Sequence, residues 1–235
     1  MENFWSRYKR NHAAVFGLFV VALIIVMAIT ASFLYPEDPF RLVGKPLSEP
    51  LTNGFLLGSD SLGRDVASGI VHGAKTSLLI GFVATLVSVF IGIFFGAFAG
   101  YFGGLIDDIL MRVTEIFQTI PSFIFAILLV AIMKPSMSSI VIAIAVVSWP
   151  GVARLVRGEF LAVKNREFVQ ACHTLGMSDL RIMLWEILPN CLSPIIVVGS
   201  LMVATAILIE SGLAFLGLGD PNIMSWGFLI GAGRT

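Results

Sequence analysis

Thr76-Ser-Leu-Leu-Ile-Gly-Phe-Val-Ala-Thr-Leu-Val-Ser-Val-Phe-Ile-Gly-Ile-Phe-Phe-Gly-Ala-Phe-Ala-Gly-Tyr-Phe-Gly-Gly-Leu-Ile106 contains no Asp, Glu, Lys, Arg or His. A water-soluble domain has no use for so long an uncharged run, whereas a helix crossing a bilayer requires one. Working outward, similar runs occur at Ala13–Leu34, Ile116–Met133, Pro135–Ala153 and Ile187–Ile209. With 57% hydrophobic residues and a mean hydropathy of +0.94, the chain reads as a polytopic membrane protein. A secretory signal accounts for the first run only, and four more follow it. Lipid-exposed backbone must satisfy its own hydrogen bonds, so the spans are helices. The runs are far longer than the alternating segments of about ten residues that build a membrane barrel. The predicted fold class is all-α, a helical membrane bundle with five spans.

Charges set the expected orientation. Arg7, Lys9 and Arg10 precede the first span with only Glu2 against them, which places the N-terminus in the cytoplasm. The expected organisation is then a cytoplasmic segment 1–12, a first span 13–34 and an external loop 35–75 with a short surface helix. A transmembrane core 76–219 follows, and an external segment 220–235 closes the chain. Inside the core, Asp107, Asp108, Arg112 and Glu115 fall in a short inner turn, and the loop 154–194 is cytoplasmic and basic. Five spans ending in a glycine-rich tail lead to the expectation that a sixth span is missing from this chain.

Other chemistries find little support. Lys+Arg and Asp+Glu are balanced at 15 each, so no bulk charge draws the chain to nucleic acid. Cys172 and Cys191 form no C-x-x-C and read as free thiols. His12, His72 and His173 are dispersed, with no metal-ligand spacing. No nucleophile–base arrangement, phosphate loop or dinucleotide fingerprint is present. The chain is expected to hold no cofactor and to catalyse nothing, so any nucleotide that energises it binds to another polypeptide.

Within the spans, Gly92, Gly96, Gly100 and Gly104 recur every four residues and line one helix face, for close packing or as a smooth pore wall. Glu210 is a lone carboxylate between Ile187 and Gly219, which suits a hydrogen-bonding role inside the bundle or a place on a transport path. Glu210-Ser211-Gly212, with Gly217 and Gly219 beyond, suggests an interrupted helix end. Pro121 and Pro150 are candidate kinks.

The loop 154–194 is too long for a simple turn. Arg166 to Leu175 reads as a helix with Phe168, Ala171, Cys172 and Leu175 on one side, ended by Gly176. Ser178 can cap a second helix from Asp179, with Leu180, Met183, Leu184 and Ile187 as its apolar face and Pro189 closing it.

Glu167-Phe-Val-Gln-Ala-Cys-His-Thr-Leu-Gly176, followed by Ile187-Leu-Pro-Asn190, resembles the EAA loop of bacterial ABC importer permeases. Gln170 stands where that family usually has Glu, Ala171 is the retained Ala, and Cys172 replaces the second Ala. Gly176 matches the motif glycine, Leu188 and Pro189 match its closing Leu-Pro, and Glu186 takes a usually apolar position. Leu57-Gly-Ser-Asp-Ser-Leu-Gly-Arg-Asp-Val66 and Gly73-Ala-Lys-Thr-Ser-Leu-Leu79 are similar to segments of dipeptide, oligopeptide and nickel permeases of the DppC/OppC type. So are Ala99-Gly-Tyr-Phe-Gly-Gly104, Pro121-Ser122, Phe215-Leu-Gly-Leu-Gly219 and Ser225-Trp-Gly227.

The resemblance implies a type I ABC importer permease in the inner or plasma membrane of a bacterium, normally with six spans. It implies a homologous second permease, two ATPase subunits that bind ATP and Mg2+, and an extracytoplasmic substrate-binding protein. The coupling loop would meet an ATPase through Glu167, Gln170, Ala171, Cys172, Gly176, Leu188 and Pro189. Di- or oligopeptides are the expected cargo, with nickel or a metal chelate as the rival. A non-transporting membrane scaffold is the alternative of another class. In the loop before the second span, Gly58, Asp60, Gly63, Arg64 and Asp65 suggest a compact polar turn, with Asp60 and Arg64 paired at i,i+4 for ~0.3 kcal/mol. That turn suits a structural clamp or a contact with the binding protein.

Overall fold

A computed structural model describes residues 8–52 and 54–233; Glu2, Arg7, Arg234 and Thr235 lie outside them. The elements are α1 (His12–Leu34), α2 (Val66–Phe102), α3 (Gly104–Thr119), α4 (Ser122–Met133), α5 (Met137–Val163), α6 (Glu167–Thr174), α7 (Asp179–Leu218) and α8 (Trp226–Ala232). Among the described residues, extended pairing is confined to one isolated antiparallel bridge between Ser59 and Asp65. Among the described residues, four helices (α1, α2, α5 and α7) are long and apolar enough to cross a membrane, and a fifth span exists if α3 and α4, bent by 83°, form one. The protein is an all-α polytopic membrane bundle. The chain forms two compact units, one built from residues up to Leu78 together with those from Pro221, the other from Leu79–Asp220.

In the first unit, the Asn11 side chain accepts the Ala14 N–H at 3.2 Å and starts α1. Most α1 side chains are apolar and exposed, as expected of a helix solvated by lipid. The following loop folds around two glycines at positive φ, Gly58 (+80°) and Gly63 (+84°). A Cβ at either would run into backbone, the Ser48 carbonyl or the Gly44 carbonyl respectively, so only glycine fits. The Asp60 carboxylate accepts the N–H groups of Leu62 (2.9 Å) and Arg64 (2.8 Å) and pairs with the Arg64 guanidinium at 3.3 Å. Arg64 also lies over Phe40 and Phe228, 5.6 and 5.3 Å from their ring centroids.

Next in the chain, the Asp65 carboxylate accepts the Ala67 N–H at 2.8 Å and caps α2. Nothing after it breaks the helix. The surface helix expected within 35–75 is therefore the opening of α2 itself, which starts at Val66 rather than near Thr76. Burial and then the Asp65 carboxylate raise the Tyr35 phenol above its usual pKa, which keeps it protonated. Gly69 and Gly73 leave room for Leu229 and Trp226 of α8. The Trp226 indole donates to the Ile70 carbonyl at 3.0 Å, and its backbone N–H to the Ser77 hydroxyl at 3.1 Å.

In the second unit, α2 presents Gly92, Gly96 and Gly100 to α5. A Cβ on Gly92 would sit 2.6 Å from the Val152 Cγ1, one on Gly96 2.7 Å from the Val156 Cβ, and one on Gly100 2.6 Å from the Phe160 Cβ. Gly104 is not on this face: it opens α3, and a Cβ there meets nothing within 4 Å. The reason is the turn made by Gly103 and Gly104, both at positive φ (+67° and +53°), which ends α2 at Phe102. The expected inner turn 107–115 is instead the 16-residue helix α3, which buries Asp107 and Thr114 and exposes Leu105, Ile109 and Ile116 together with Asp108, Arg112 and Glu115. Pro121 occupies the N-cap of α4 and separates it from α3, a full break rather than a kink. Pro150 lies inside α5, which runs past Ala153 to Val163.

Helix α7 contains two π-helical stretches, Ile182–Ile187 and Ala214–Leu218. The first explains why Pro189 does not close a helix. The Leu188 N–H bonds the Met183 carbonyl five residues back, and the widened turn lets the chain pass a residue that has no N–H. Of the residues expected to interrupt the helix end, Glu210-Ser211-Gly212 with Gly217 and Gly219, the break falls at Gly217 (φ 82°), while Glu210–Gly212 stay helical.

Candidate functional site

The residues of the α5–α7 connection form a short helix pinned at one side and bare at the other. Val169 (0% exposed) inserts into a core with Val156, Phe160, Val163, Ile182, Met183 and Ile187. Its α6 neighbours Phe168, Ala171 and Leu175 are exposed, and Cys172 is half-buried against the same core. Of the four residues expected on one side of this helix, Phe168, Ala171 and Leu175 are thus exposed and Cys172 is partly covered. On α7, Ile182, Met183 and Ile187 point inward while Leu180 and Leu184 are exposed, because the π-helical turn advances more residues per revolution than an α-helix. Glu167, Gln170, Ala171, Gly176 and Pro189 are exposed on this loop, and Leu188 is half-buried. The Gln170 amide donates to the Asn165 carbonyl at 3.2 Å.

The bend has a defined chemistry. Gly176 takes φ +72° just after α6. Its N–H bonds the His173 carbonyl at 3.0 Å, and the Met177 N–H bonds the Cys172 carbonyl at 3.2 Å. This pair of bonds is a Schellman motif with glycine at the left-handed position. Ser178 stands at the N-cap of α7 but makes no side-chain cap hydrogen bond; its carbonyl accepts the Ile182 N–H at 3.0 Å.

Residues that sequence reasoning missed hold this loop to the bundle. Lys164, at the C-cap of α5, donates to the Gly100 carbonyl at 2.8 Å and the Tyr101 carbonyl at 3.3 Å at the end of α2. The Tyr101 hydroxyl donates to Asp179 Oδ1 at 2.7 Å. Its oxygen is 3.5 Å from His173 Nε2, with the two rings stacked 6.3 Å apart. Beside it, the Arg157 guanidinium grips the Asp107 carboxylate with two bonds, 2.5 and 2.6 Å, and so ties α3 to α5. A hydroxyl at the end of an apolar helix, as Tyr101 has, is the one sequence signal that could have pointed here.

Glu210 is far along α7 from this loop and only 1% exposed, with the Ser211 hydroxyl 3.5 Å from its Oε2. Both cysteines are free. The helices around these residues are interrupted in three places, by the 83° bend between α3 and α4 and by the π-helical stretches near each end of α7.

The family model described as binding-protein-dependent transport system inner membrane component matches residues 92–229, from the glycine face of α2 through α8. The chain belongs to that family. The N-terminal TM domain of oligopeptide transport permease C matches residues 1–48. The dipeptide transport system permease protein DppC of Escherichia coli K12 is 42% identical over 98% of this chain and 79% of that protein. DppC of Bacillus subtilis is 40% identical over 99% of this chain and 73% of its own length. The glutathione transport system permease protein GsiD of Pectobacterium atrosepticum is 37% identical over all of this chain and 78% of that protein. Among solved structures, a chain of the inward-facing MetNI methionine ABC transporter matches with a TM-score of 0.57 at 17% identity, over 66% of this chain and 77% of that one. That likeness supports the importer permease fold. This member of the family is therefore a membrane permease subunit of an ABC importer, a non-enzymatic role.

Proposed function

We propose that this permease pairs with a homologous second permease to form an uptake path for di- or oligopeptides. ATP and Mg2+ act on separate ATPase subunits, and a substrate-binding protein delivers the cargo from outside. The peptide assignment rests on the dipeptide, di/tripeptide and glutathione systems named among its relatives. In this reading α6 and the first turns of α7 are the coupling surface for an ATPase. The observation that carries it is the bare apolar side of a firmly anchored loop: Leu175 is 80% exposed and Trp185 74%, with Phe168, Leu180 and Leu184 also open. An apolar patch on a rigid element is the pattern of a docking site.

Trp185→Ala is expected to leave the permease in the membrane and to weaken co-purification of the ATPase subunits about tenfold, the loss of one aromatic anchor. Undiminished co-purification contradicts the docking surface. The reading also sets the N-terminus inside, from Lys9 and Arg10 before α1. Cysteines at positions 45 and 134 then react with a membrane-impermeant reagent added outside, and one at 166 does not. Labelling at 166 reverses the orientation.

A further inference from the structure

We infer that Tyr101 is a positioning residue for energy coupling, the link through which movement of the α6–α7 loop reaches the end of α2. The inference rests on the docking reading above and deepens it by naming where the transmitted motion enters the bundle. The Tyr101 side chain had no role assigned by sequence, and three observations give it one.

First, α2 cannot slide freely on α5, because Gly92, Gly96 and Gly100 bring it against the backbone and Cβ atoms of Val152, Ala153, Val156, Arg157 and Phe160. Packed interfaces of this kind move as a block. Second, Lys164 holds the last turn of α2 to the end of α5 through two carbonyls. These bonds close the block at the loop. Third, the Tyr101 side chain leaves that block and crosses to the loop. Its hydroxyl donates to the Asp179 carboxylate at 2.7 Å, and its ring stacks beside His173 on α6.

Asp179 is the first residue of α7, immediately after the Gly176 bend. A displacement of the loop by a docked ATPase therefore pulls on Tyr101 directly. A hydrogen bond to a carboxylate is a stronger tether than one between neutral groups. Lys164 and Tyr101 act in series, the lysine joining α5 to α2 and the tyrosine joining α2 to the loop.

The test uses the full complex of both permeases, the ATPases and the binding protein in sealed proteoliposomes, with ATP hydrolysis and peptide uptake read together. Tyr101→Phe keeps the ring and removes the tether. Expected are normal ATPase co-purification, normal basal hydrolysis and uptake per ATP lower by about fivefold, the factor carried by a typical net hydrogen bond. Asp179→Ala should fall equally. Asp179→Asn, which retains an oxygen acceptor, should stay within about twofold of the native ratio. Tyr101→Phe with Asp179→Ala should be no worse than either alone, since both remove one bond.

An unchanged uptake-to-ATP ratio in Tyr101→Phe, or additive losses in the double variant, overturns the inference while leaving the docking reading intact. If Trp185→Ala leaves ATPase binding undiminished, the docking reading fails, and the inference built on it fails with it. If Tyr101→Phe lowers yield and hydrolysis together with uptake, the residue serves stability alone and the inference is again overturned.

Discussion

Replacing Gly96 with Leu should abolish accumulation of the folded permease. The Cβ of any residue there meets the Ala153 carbonyl and the Val156 Cβ, atoms of α5 that cannot swing aside. Overpacking of a core costs about 1–3 kcal/mol when side chains can adjust. Here the obstruction is partly backbone, so the two helices must separate along the whole Gly92–Gly100 face. That separation would also pull Lys164 from the Gly100 and Tyr101 carbonyls. Gly96→Ala should already reduce the yield of membrane-inserted, protease-resistant protein, and Gly96→Leu should remove nearly all of it. Gly158→Ala, where a Cβ meets nothing within 4 Å, is the matched control and should leave yield unchanged. A normal yield of Gly96→Leu would show that α2 and α5 do not pack as described.

Gly176→Val should separate ATP hydrolysis from uptake without removing the protein from the membrane. There is open space around a Cβ at this position, so the penalty comes from the backbone alone. At φ +72° a β-branched residue costs about 1–2 kcal/mol or more. Relaxing that strain breaks the bonds from Gly176 to His173 and from Met177 to Cys172, and turns α6 relative to α7. The exposed residues Phe168 and Leu175 then change position relative to Leu180 and Trp185. Uptake is expected to fall about tenfold, the rate equivalent of such a strain. Gly176→Asn, which tolerates the left-handed region, should keep most of it. Equal transport by the valine and asparagine variants would remove the bend from the coupling account.

Much of this architecture is legible in the sequence, and the failures have physical causes. The uncharged run Thr76–Ile106 announces a membrane helix because hydrocarbon admits only helices and closed barrels, and the run is too long for a barrel strand. It misplaces both ends, since a helix may begin in polar residues when an N-cap such as Asp65 is available and may stop wherever glycines turn the chain. Gly104 fits the four-residue spacing but belongs to the turn, which spacing alone does not reveal.

The apolar face of the second loop helix was misread for a related reason. A period of 3.6 residues places Leu180 and Leu184 with Met183 and Ile187, but the π-helical stretch Ile182–Ile187 shifts the phase and leaves both leucines outside. Gly176 was readable because a glycine after an amphipathic stretch is itself the chemistry of a helix end. Tyr101, Lys164 and the Asp107–Arg157 pair were not, because each bond joins residues fifty or more positions apart that no local pattern relates.

As proposed above, this subunit, driven by ATP on its partners, carries peptides across the membrane. Its most direct test is uptake of a labelled dipeptide into sealed proteoliposomes holding both permeases, the ATPases and the binding protein. The account predicts accumulation that requires ATP, Mg2+ and the binding protein together, and that disappears when this chain is left out. Accumulation unaffected by omitting this chain, or none with every component present and the ATPases active, would contradict it.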